Sequence, residues 1–394
     1  MLMRVLIVST LKRRVDPKIT ASRSRIIYEL VKGLLKRGHK VTLLGTADSF
    51  IKGAEVVPVV ERGWVDLPPV ENPFFREIAT LIQIAKKVVE LEDKFDIVHN
   101  HLYPEFFTPI IENELKTPLL TTVHVQWTDF IDQTLSLFKK TYLISISKAQ
   151  RRLFKRAKIY KVVYNGIDTE LYSFCPKKGD YLLWLGRLSK AKDERGRFLD
   201  PKGVRWAIRL AQKMGEKLLL SGNVEDPKFF EREVRPFLNE KIRWIGPVSK
   251  EQPLSKEEVV GLMQKAKAFL MTVNWYEPFG LVMAESMSCG TPVVGFAKGA
   301  VSEIVRDGVT GFVVEPEKTV GVGPPLLGKN RWQIKKKGIE GLCEAVKRVG
   351  EIDPKACREH VVKNFSVEKM VESYEKVYRE VLAKEGRLFG GEAK

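Results

Sequence analysis

The sequence predicts an α/β protein made of two parallel-sheet domains, and three observations predict it. Short apolar runs alternate with amphipathic helical stretches from the first residues onward. That alternation pauses near residue 168 and restarts at Tyr181. The chain has 394 residues, 44% of them apolar with seven Trp, enough for two ordinary cores. Strands that alternate with helices lie parallel, with helices on both faces, and ligands gather off the C-terminal strand ends.

In the first half, apolar strands are expected at residues 4–8, 41–45, 56–60, 95–99, 119–124 and 142–146. The loop at residues 12–24 leads to a helix with Ile26, Ile27, Leu30, Val31, Leu34 and Leu35 on one face, closed by Gly38. A second helix covers residues 76–91. In the second half, strands are expected at residues 181–185, 217–220, 242–245, 268–273, 293–296 and 312–314. A helix follows Gly203, with Val204, Ala207, Ile208 and Ala211 in register. Two helices finish the chain after Lys337, broken near Asp353-Pro354. The last, residues 366–384, aligns Met370, Tyr374, Val377, Tyr378 and Val381.

The totals bound the function. No apolar run approaches the roughly 18 residues of a membrane span, and residues 1–10 read as a buried strand rather than a signal peptide. Cys175, Cys289, Cys343 and Cys357 are scattered, which implies neither a zinc site nor a disulfide framework. A cytoplasmic protein is expected. Eight Gln and nine Asn beside 116 charged residues is a balance found in thermophiles. The net charge is +18, and nine Lys/Arg with no acid fall between Lys139 and Lys161. That patch suits anionic lipid head groups at a membrane surface, a polyanionic acceptor or nucleic acid; a merely solvated face explains it equally well.

The densest chemistry lies in residues 274–303. An apolar strand runs into a polar loop with Glu277, and a helix containing Glu285 follows. Pro278 fits a helix entry, Gly280 allows close backbone approach, and Gly290 ends the helix before a strand at residues 293–296. A helix start offers free N–H groups to an anion or a hydroxyl-rich ligand, and carboxylates accept hydrogen bonds from sugar or ribose hydroxyls. On spacing alone, two exposed glutamates on an ordinary strand–loop–helix would explain the segment.

The residues themselves say more. Glu277, Pro278-Phe279-Gly280-Leu281, Glu285 and Gly290-Thr291-Pro292-Val293-Val294 resemble the signature of the family 4 retaining glycosyltransferases. Gly299 to Val305 and Asp307 to Phe312 continue the likeness, as do Ile144 to Ser147 and Asn165 to Asp168. The resemblance implies the GT-B fold, α/β with two Rossmann-like domains facing a central cleft. Residues 1–168 would form the acceptor-side domain and residues 169–365 the donor-side domain, with residues 366–394 crossing back to the first.

It also implies roles. Glu277 and the backbone of Pro278, Phe279, Gly280 and Leu281 would hold the transferred sugar, and Glu285 the ribose hydroxyls. Arg187 and Lys202 would neutralise the diphosphate of a nucleoside-diphosphate sugar, as fixed cations stabilise a leaving group that gains charge. His124, at a strand end, would close the sugar site from the first domain. Relatives usually place that lysine about five residues after the arginine, where Lys192 stands. Lys202 instead has the expected Gly and helix after it, so residues 191–201 read as an insertion. No D-x-D motif is present, so neither a metal nor another cofactor is expected. The acceptor hydroxyl would attack on the face the diphosphate leaves, giving retention; a double displacement through Glu277 is the other route. The acceptor, whether glycan, lipid-linked or small molecule, is not specified.

Two features depart from or imitate known patterns. The first loop carries no Gly-Gly pair, and Arg23 or Ser22 would have to serve there. Gly323 to Lys329 fits a phosphate-binding G-x-x-x-x-G-K, yet Asn330 replaces the Ser/Thr and two prolines remove N–H donors. It reads better as a basic surface loop with Lys318, Lys329, Arg331 and Lys335 to Lys337. His99 and His101 could share one side of a strand as metal ligands, but no third partner is near in sequence. The alternatives are a sugar-nucleotide epimerase, a phosphorylase, or a noncatalytic polyanion-binding protein. The last would need aromatic residues interleaved with the basic patch, where only Tyr142, Phe154 and Tyr160 stand, so nucleic acid is not expected.

Overall fold

The computed structural model describes residues 2–248, 254–317 and 332–387. The chain divides into two compact units, Met1–Gly166 with Ser366–Lys394, and Ile167–Phe365. The Gly323 to Lys329 motif, with Lys318 and Arg331, lies outside the described residues.

The first unit holds β1 (Arg4–Val8), β2 (Lys40–Thr46), β3 (Glu55–Val60), β4 (Ile97–Asn100), β5 (Leu119–Val123), β6 (Tyr142–Ser145) and β7 (Ile159–Val162). They form one sheet in the order β3-β2-β1-β4-β5-β6-β7, with every neighbouring pair parallel. Helices α1 (Ser22–Lys36), α2 (Pro73–Leu91), α3 (Asp129–Leu135) and α4 (Lys148–Leu153) connect the strands. Central strands are buried on both faces, so they read as continuous apolar runs such as Val5 to Val8. The expectation missed β7. It is an edge strand, buried only at Ile159, and its four residues sit among cations. The basic stretch is therefore strand, helix and strand: residues 141–147 are buried while Lys139, Lys140, Arg156 and Lys158 point to solvent. Helix α2 begins three residues earlier than expected, because Asn72 Oδ1 accepts from Phe75 N at 3.3 Å and Pro73 suits the first turn.

The second unit repeats the scheme with β8 (Tyr181–Leu185), β9 (Lys217–Ser221), β10 (Ile242–Trp244), β11 (Ala268–Met271), β12 (Val293–Phe296) and β13 (Gly311–Val314). Their order is β10-β9-β8-β11-β12-β13, again all parallel. Its helices are α5 (Val204–Met214), α6 (Pro227–Glu233), α7 (Lys256–Lys265), α8 (Leu281–Ser288), α9 (Val301–Ile304), α10 (Gly338–Arg348) and α11 (Pro354–Phe365). In both sheets the chain first builds to one side and then reverses, beside β1 in one and β8 in the other. Connections leave in opposite directions there, opening a crevice at the C-terminal strand ends.

Among the described residues three α-helices rather than two follow Lys337. The break before α12 (Val367–Lys384) is local: Ser366 is extended and its hydroxyl accepts from Lys369 N, capping the new helix. Helix α12 belongs to the first unit and lies close along α1, where a Cβ on Gly33 would sit 2.4 Å from Val371. Buried Glu375 anchors it. Its Oε2 lies 2.6 Å from Arg37 Nη2, and its Oε1 lies 2.6 Å from His39 Nε2. His39 Nδ1 accepts from Met3 N, so Nε2 carries the proton that Glu375 takes.

Burial pushes the Glu375 carboxyl up, but the hydrogen bonds from Arg37 and His39 outweigh it and hold the group below its ordinary value. A depressed carboxyl stabilises the fold above its unfolded pKa of about 4.3 and loses that contribution as pH falls through the folded value. Glu375→Ala is predicted to destabilise the first unit by about 1–3 kcal/mol at neutral pH, because His39 loses its buried partner. The difference from wild type should shrink in urea titrations taken below about pH 4. Equal stability of the two proteins at pH 7 would contradict this anchoring.

Candidate functional site

The crevice of the second sheet lies between β8 and β11, and the quoted glutamate motif leaves directly from β11. Glu277 is buried, 6% exposed, yet it is not stranded. Its Oε2 accepts from Lys202 Nζ at 2.7 Å and from Trp275 Nε1 at 2.8 Å. The Lys202 ammonium also stands 4.4 Å from the centroid of the Trp275 ring. A carboxylate this far from water needs such partners, and the three side chains form one locked group. Its backbone is fixed as well. Ala300 N donates to Glu277 O at 2.8 Å, and a Cβ on Gly299, at φ +61°, would lie 2.3 Å from that oxygen. Only glycine lets the loop after β12 approach so closely.

Of the two lysines that were candidates for the diphosphate, Lys202 is the one that meets Glu277. Residues 191–199 make a small excursion in which Lys192 pairs antiparallel with Phe198 and Leu199 N donates to Ala191 O. Lys192 stands over the Phe198 ring and 3.9 Å from Asp226. The chain then returns: Asn274 N donates to Pro201 O at 2.9 Å, and Asn274 Nδ2 to Asp200 O at 2.7 Å. Thr272 Oγ1 donates to Gly203 O, and a Cβ on Gly203, at φ +76°, would collide with Thr272 O at 1.7 Å. Lys202 is thus held between two residues clamped to the β11 loop. Asp200 completes the turn by accepting from the N–H groups of Gly203, Val204 and Arg205 at the start of α5.

The other predicted residues of the second unit lie on the segments that follow β8 and β11. Arg187 follows β8 directly; it is half-exposed, and its Nη1 lies 3.1 Å from Glu225 Oε1 on the loop after β9. Its neighbour Gly186 abuts Lys202, since a Cβ there would stand 3.3 Å from Lys202 Cβ. Helix α8 starts at Leu281, after Gly280 in a left-handed conformation, so Pro278 precedes the helix rather than opening it. Phe279 turns inward, its ring 5.9 Å from Phe365, while Glu285 is buried at 2% exposure within α8. Trp275, Asn274 and Lys298 had no role in the sequence reading. Lys298 is buried, Nζ 3.2 Å from Asn274 O, and burial lowers its pKa. The visible signal for Trp275 was only its place two residues before Glu277.

In the first unit the corresponding crevice lies between β1 and β4. His101 follows β4 and His124 follows β5. Their rings meet, His101 Nδ1 to His124 Nε2 at 2.8 Å, and His101 Nε2 lies 3.3 Å from His99 Nδ1. His99 and His101 therefore spend ring nitrogens on each other and on neighbouring side chains. Glu105, which no sequence signal marked, fixes the strand end: its Oε1 accepts from His124 N, Val125 N and Arg23 Nη2. Arg23 also donates to Leu102 O at 2.6 Å, so its guanidinium is used within this loop cluster. Burial, and secondarily the Arg23 charge, hold His124 well below the usual imidazole range; burial takes His99 down to about 3.

A recess of about 500 Å³ opens elsewhere in the first unit, beside the starts of β5, β6 and β7. Lys116, Lys139, Lys140, Arg156, Lys158 and Lys384 line it. Its two acids are engaged internally: Glu112 accepts from the N–H groups of Lys139, Lys140 and Thr141, and Glu385 from the Tyr142 hydroxyl.

Replacing the two candidate lysines should have unequal effects on the fold itself. Lys202→Met leaves the Glu277 carboxylate buried with one partner fewer, a loss of about 1–3 kcal/mol. Lys192→Met removes an exposed, 3.9 Å contact and should stay within about 0.5 kcal/mol of wild type. Thermal or urea unfolding of the two variants checks the difference, and equal unfolding would refute the locked group.

Comparison with known proteins finds relatives for both halves of the chain. Residues 195–320 match the family described as glycosyl transferases group 1, and residues 24–171 match glycosyltransferase family 4. An uncharacterised glycosyltransferase of Methanocaldococcus jannaschii is 24% identical over 338 residues, covering 76% of this chain and 83% of that protein. Phosphatidyl-myo-inositol mannosyltransferase of Mycobacterium tuberculosis is 26% identical over 332 residues, covering 76% and 79%. The solved structure of Anabaena HepE in complex with UDP-glucose shares the fold, with a TM-score of 0.66 and 16% identity over 96% of this chain and 100% of that one. Both halves of the sequence match, and the two parallel sheets share the fold of solved glycosyltransferases; the chain is a glycosyltransferase of the group 1, family 4 class with the GT-B fold.

Proposed function

We propose that this glycosyltransferase moves a sugar from a nucleoside-diphosphate sugar to an acceptor hydroxyl, with retention and without a metal. One observation carries the reading: a buried carboxylate, Glu277, is locked to Lys202 and Trp275 at the reversal point of the second sheet. The complex of HepE with UDP-glucose supports a nucleotide-sugar donor by likeness of fold.

In this reading Glu277 and the backbone of residues 278–281 bind the sugar, and Glu285 the ribose. An ammonium has three donors, so Lys202 can keep Glu277 and still meet a diphosphate oxygen. Arg187 is half-exposed and has donors beyond the one given to Glu225. As the bond from the anomeric carbon to the diphosphate breaks, both cations offset the growing negative charge. The acceptor oxygen forms the new bond on the same face, and its proton passes to the departing diphosphate. His124 is assigned the sugar-facing role that the resemblance implies.

A second contact concerns the membrane surface. Ser136 and Phe138 line the basic recess, and Leu137 between them is 70% exposed. Cations beside exposed apolar side chains suit anionic lipid head groups, and we assign the recess to that contact.

The donor is tested by offering UDP-, ADP- and GDP-sugars to the purified chain in EDTA and following nucleoside diphosphate release. Release from one nucleotide class is expected, falling about 100-fold or more in Glu277→Ala and Arg187→Ala. No release and no binding with any donor would overturn the reading, as would undiminished release by Glu277→Ala. NMR of the product's anomeric centre decides retention. For the recess, sedimentation with phosphatidylglycerol vesicles should be lost in Lys140→Glu/Lys158→Glu and at about 1 M salt, where screening acts within about 3 Å. Equal sedimentation of the variant and wild type would remove the lipid contact.

A further inference from the structure

The loop after β1 carries Lys12, Arg13 and Arg14. Its backbone is fixed. Lys12 N donates to Thr10 Oγ1 at 3.2 Å, and Lys12 O accepts from Val65 N at 3.3 Å. Gly63 abuts the same loop, since a Cβ there would stand 2.6 Å from Arg13 Cα. From this base the Lys12 side chain reaches the loop after β4, where its ammonium stands 3.9 Å from the centroid of the Tyr103 ring. The Arg23 guanidinium lies 5.2 Å from the same centroid. An aromatic face attracts a cation, and here two converge on one ring.

Charge is unevenly matched around that ring. Arg23 gives its donors to His101 O, Leu102 O and Glu105. Glu105 Oε1 takes Arg23 together with the N–H groups of His124 and Val125. Arg14 is paired with Asp16. Among the described residues, no carboxylate or carbonyl oxygen accepts from Lys12 Nζ, and no acid pairs with the exposed Arg13. Lys12 is half-buried, and burial lowers its pKa; the Glu77 charge opposes this, while the Arg23 and Arg13 charges add to it. Lys178, also drawn in from water, shows the other outcome. Its ammonium donates to Gln264 O, Cys289 O and Thr291 Oγ1, which uses all three of its protons. Lys12 keeps its protons to give, in a place where water alone serves it poorly.

The place itself favours a ligand. Parallel sheets bind off their C-terminal strand ends where the strand order reverses, and β1 and β4 flank that reversal. Tyr103 shares its loop with Glu105, which fastens the backbone at His124.

We propose that Lys12 forms an anion-binding subsite, so that the acceptor carries a phosphate or carboxylate group besides the hydroxyl that receives the sugar. This rests on the sugar-transfer reading above and on the acceptor side that the resemblance assigns to the first unit. Lys12 meets the anion directly. Arg13 adds positive charge, and Arg23, whose donors are spent, is a positioning residue that holds the Tyr103 loop.

The full chain labelled with 13C at lysine Cε, followed in 1H–13C correlation spectra, reports on Lys12 itself. Its Cε is bonded to an ammonium that lies over Tyr103, so the ring shifts its protons upfield. Lys12→Arg, which keeps the charge, identifies the signal by its loss. Three probes share one pyranose and differ at C6: glucose, glucuronate and glucose 6-phosphate. At constant ionic strength, glucuronate or glucose 6-phosphate should move the Lys12 signal saturably, and glucose should not. Which acid moves it tells carboxylate from phosphate. A signal that neither acid moves, or that glucose moves equally, overturns the proposal. For an acid that accelerates nucleotide release, Lys12→Met should raise KM about tenfold or more with kcat changed much less, the worth of one charge-assisted hydrogen bond. Lys12→Arg should restore most of that loss, and a KM unchanged in Lys12→Met overturns the proposal. The titration needs no donor. Donor turnover with an unmoved Lys12 signal therefore removes only the anionic acceptor, while a moved signal without turnover of any donor sustains the subsite and removes the transfer reading.

Discussion

Carboxylates taken out of water must find donors, and this chain spends its buried acids on fastening loops. Glu105 takes the N–H groups of His124 and Val125; Glu112 takes those of Lys139, Lys140 and Thr141. Asp132 holds Lys155, Arg156 and Ala157 by their backbone, and Asp200 holds Gly203 to Arg205. Charge-assisted bonds of this kind are roughly twice as strong as neutral ones, and breaking one strands a buried charge. Segments that would otherwise wander over the sheet are thereby held to it.

The candidate site uses the same device. Glu277 differs in that side chains, Lys202 and Trp275, satisfy it rather than backbone. That leaves a carboxylate, an ammonium and an indole at the reversal point of a parallel sheet, where the fold opens a crevice anyway. Gly203 and Gly299 bring the flanking loops to within van der Waals contact of the β11 loop, so the group is enclosed by backbone rather than by movable side chains. The lysine that takes part is chosen by Asn274, which pins Asp200 and Pro201 and so places the next residue.

Much of the fold was legible because parallel strands are buried on both faces and announce themselves as apolar runs. All six strands of the second sheet were read, as were six of the seven in the first. The exception, β7, lies at the sheet edge, where one buried isoleucine is the whole signal. The helix of residues 354–365 was folded into its neighbours because its apolar stripe is weak, with Cys357, Val361 and Phe365 its buried residues. In the site, Glu277, Glu285 and Arg187 stood out because the residues around them resemble the family's motifs. Glu105 did not, since its partners lie 19 and 20 residues away and the intervening chain gives no hint of the return.

The sequence by itself determined the α/β class, the two rounds of alternation and the motif that marks the glycosyltransferase, because periodicity and local spacing are written in adjacent residues. Only the tertiary structure decided that Lys202 rather than Lys192 meets Glu277, that Trp275 shares the carboxylate, and that Tyr378 reaches His99 across 279 positions. Those choices depend on which loops the sheet brings together. Hydrogen bonds and close backbone contacts settle them in space, and distance along the chain does not encode them.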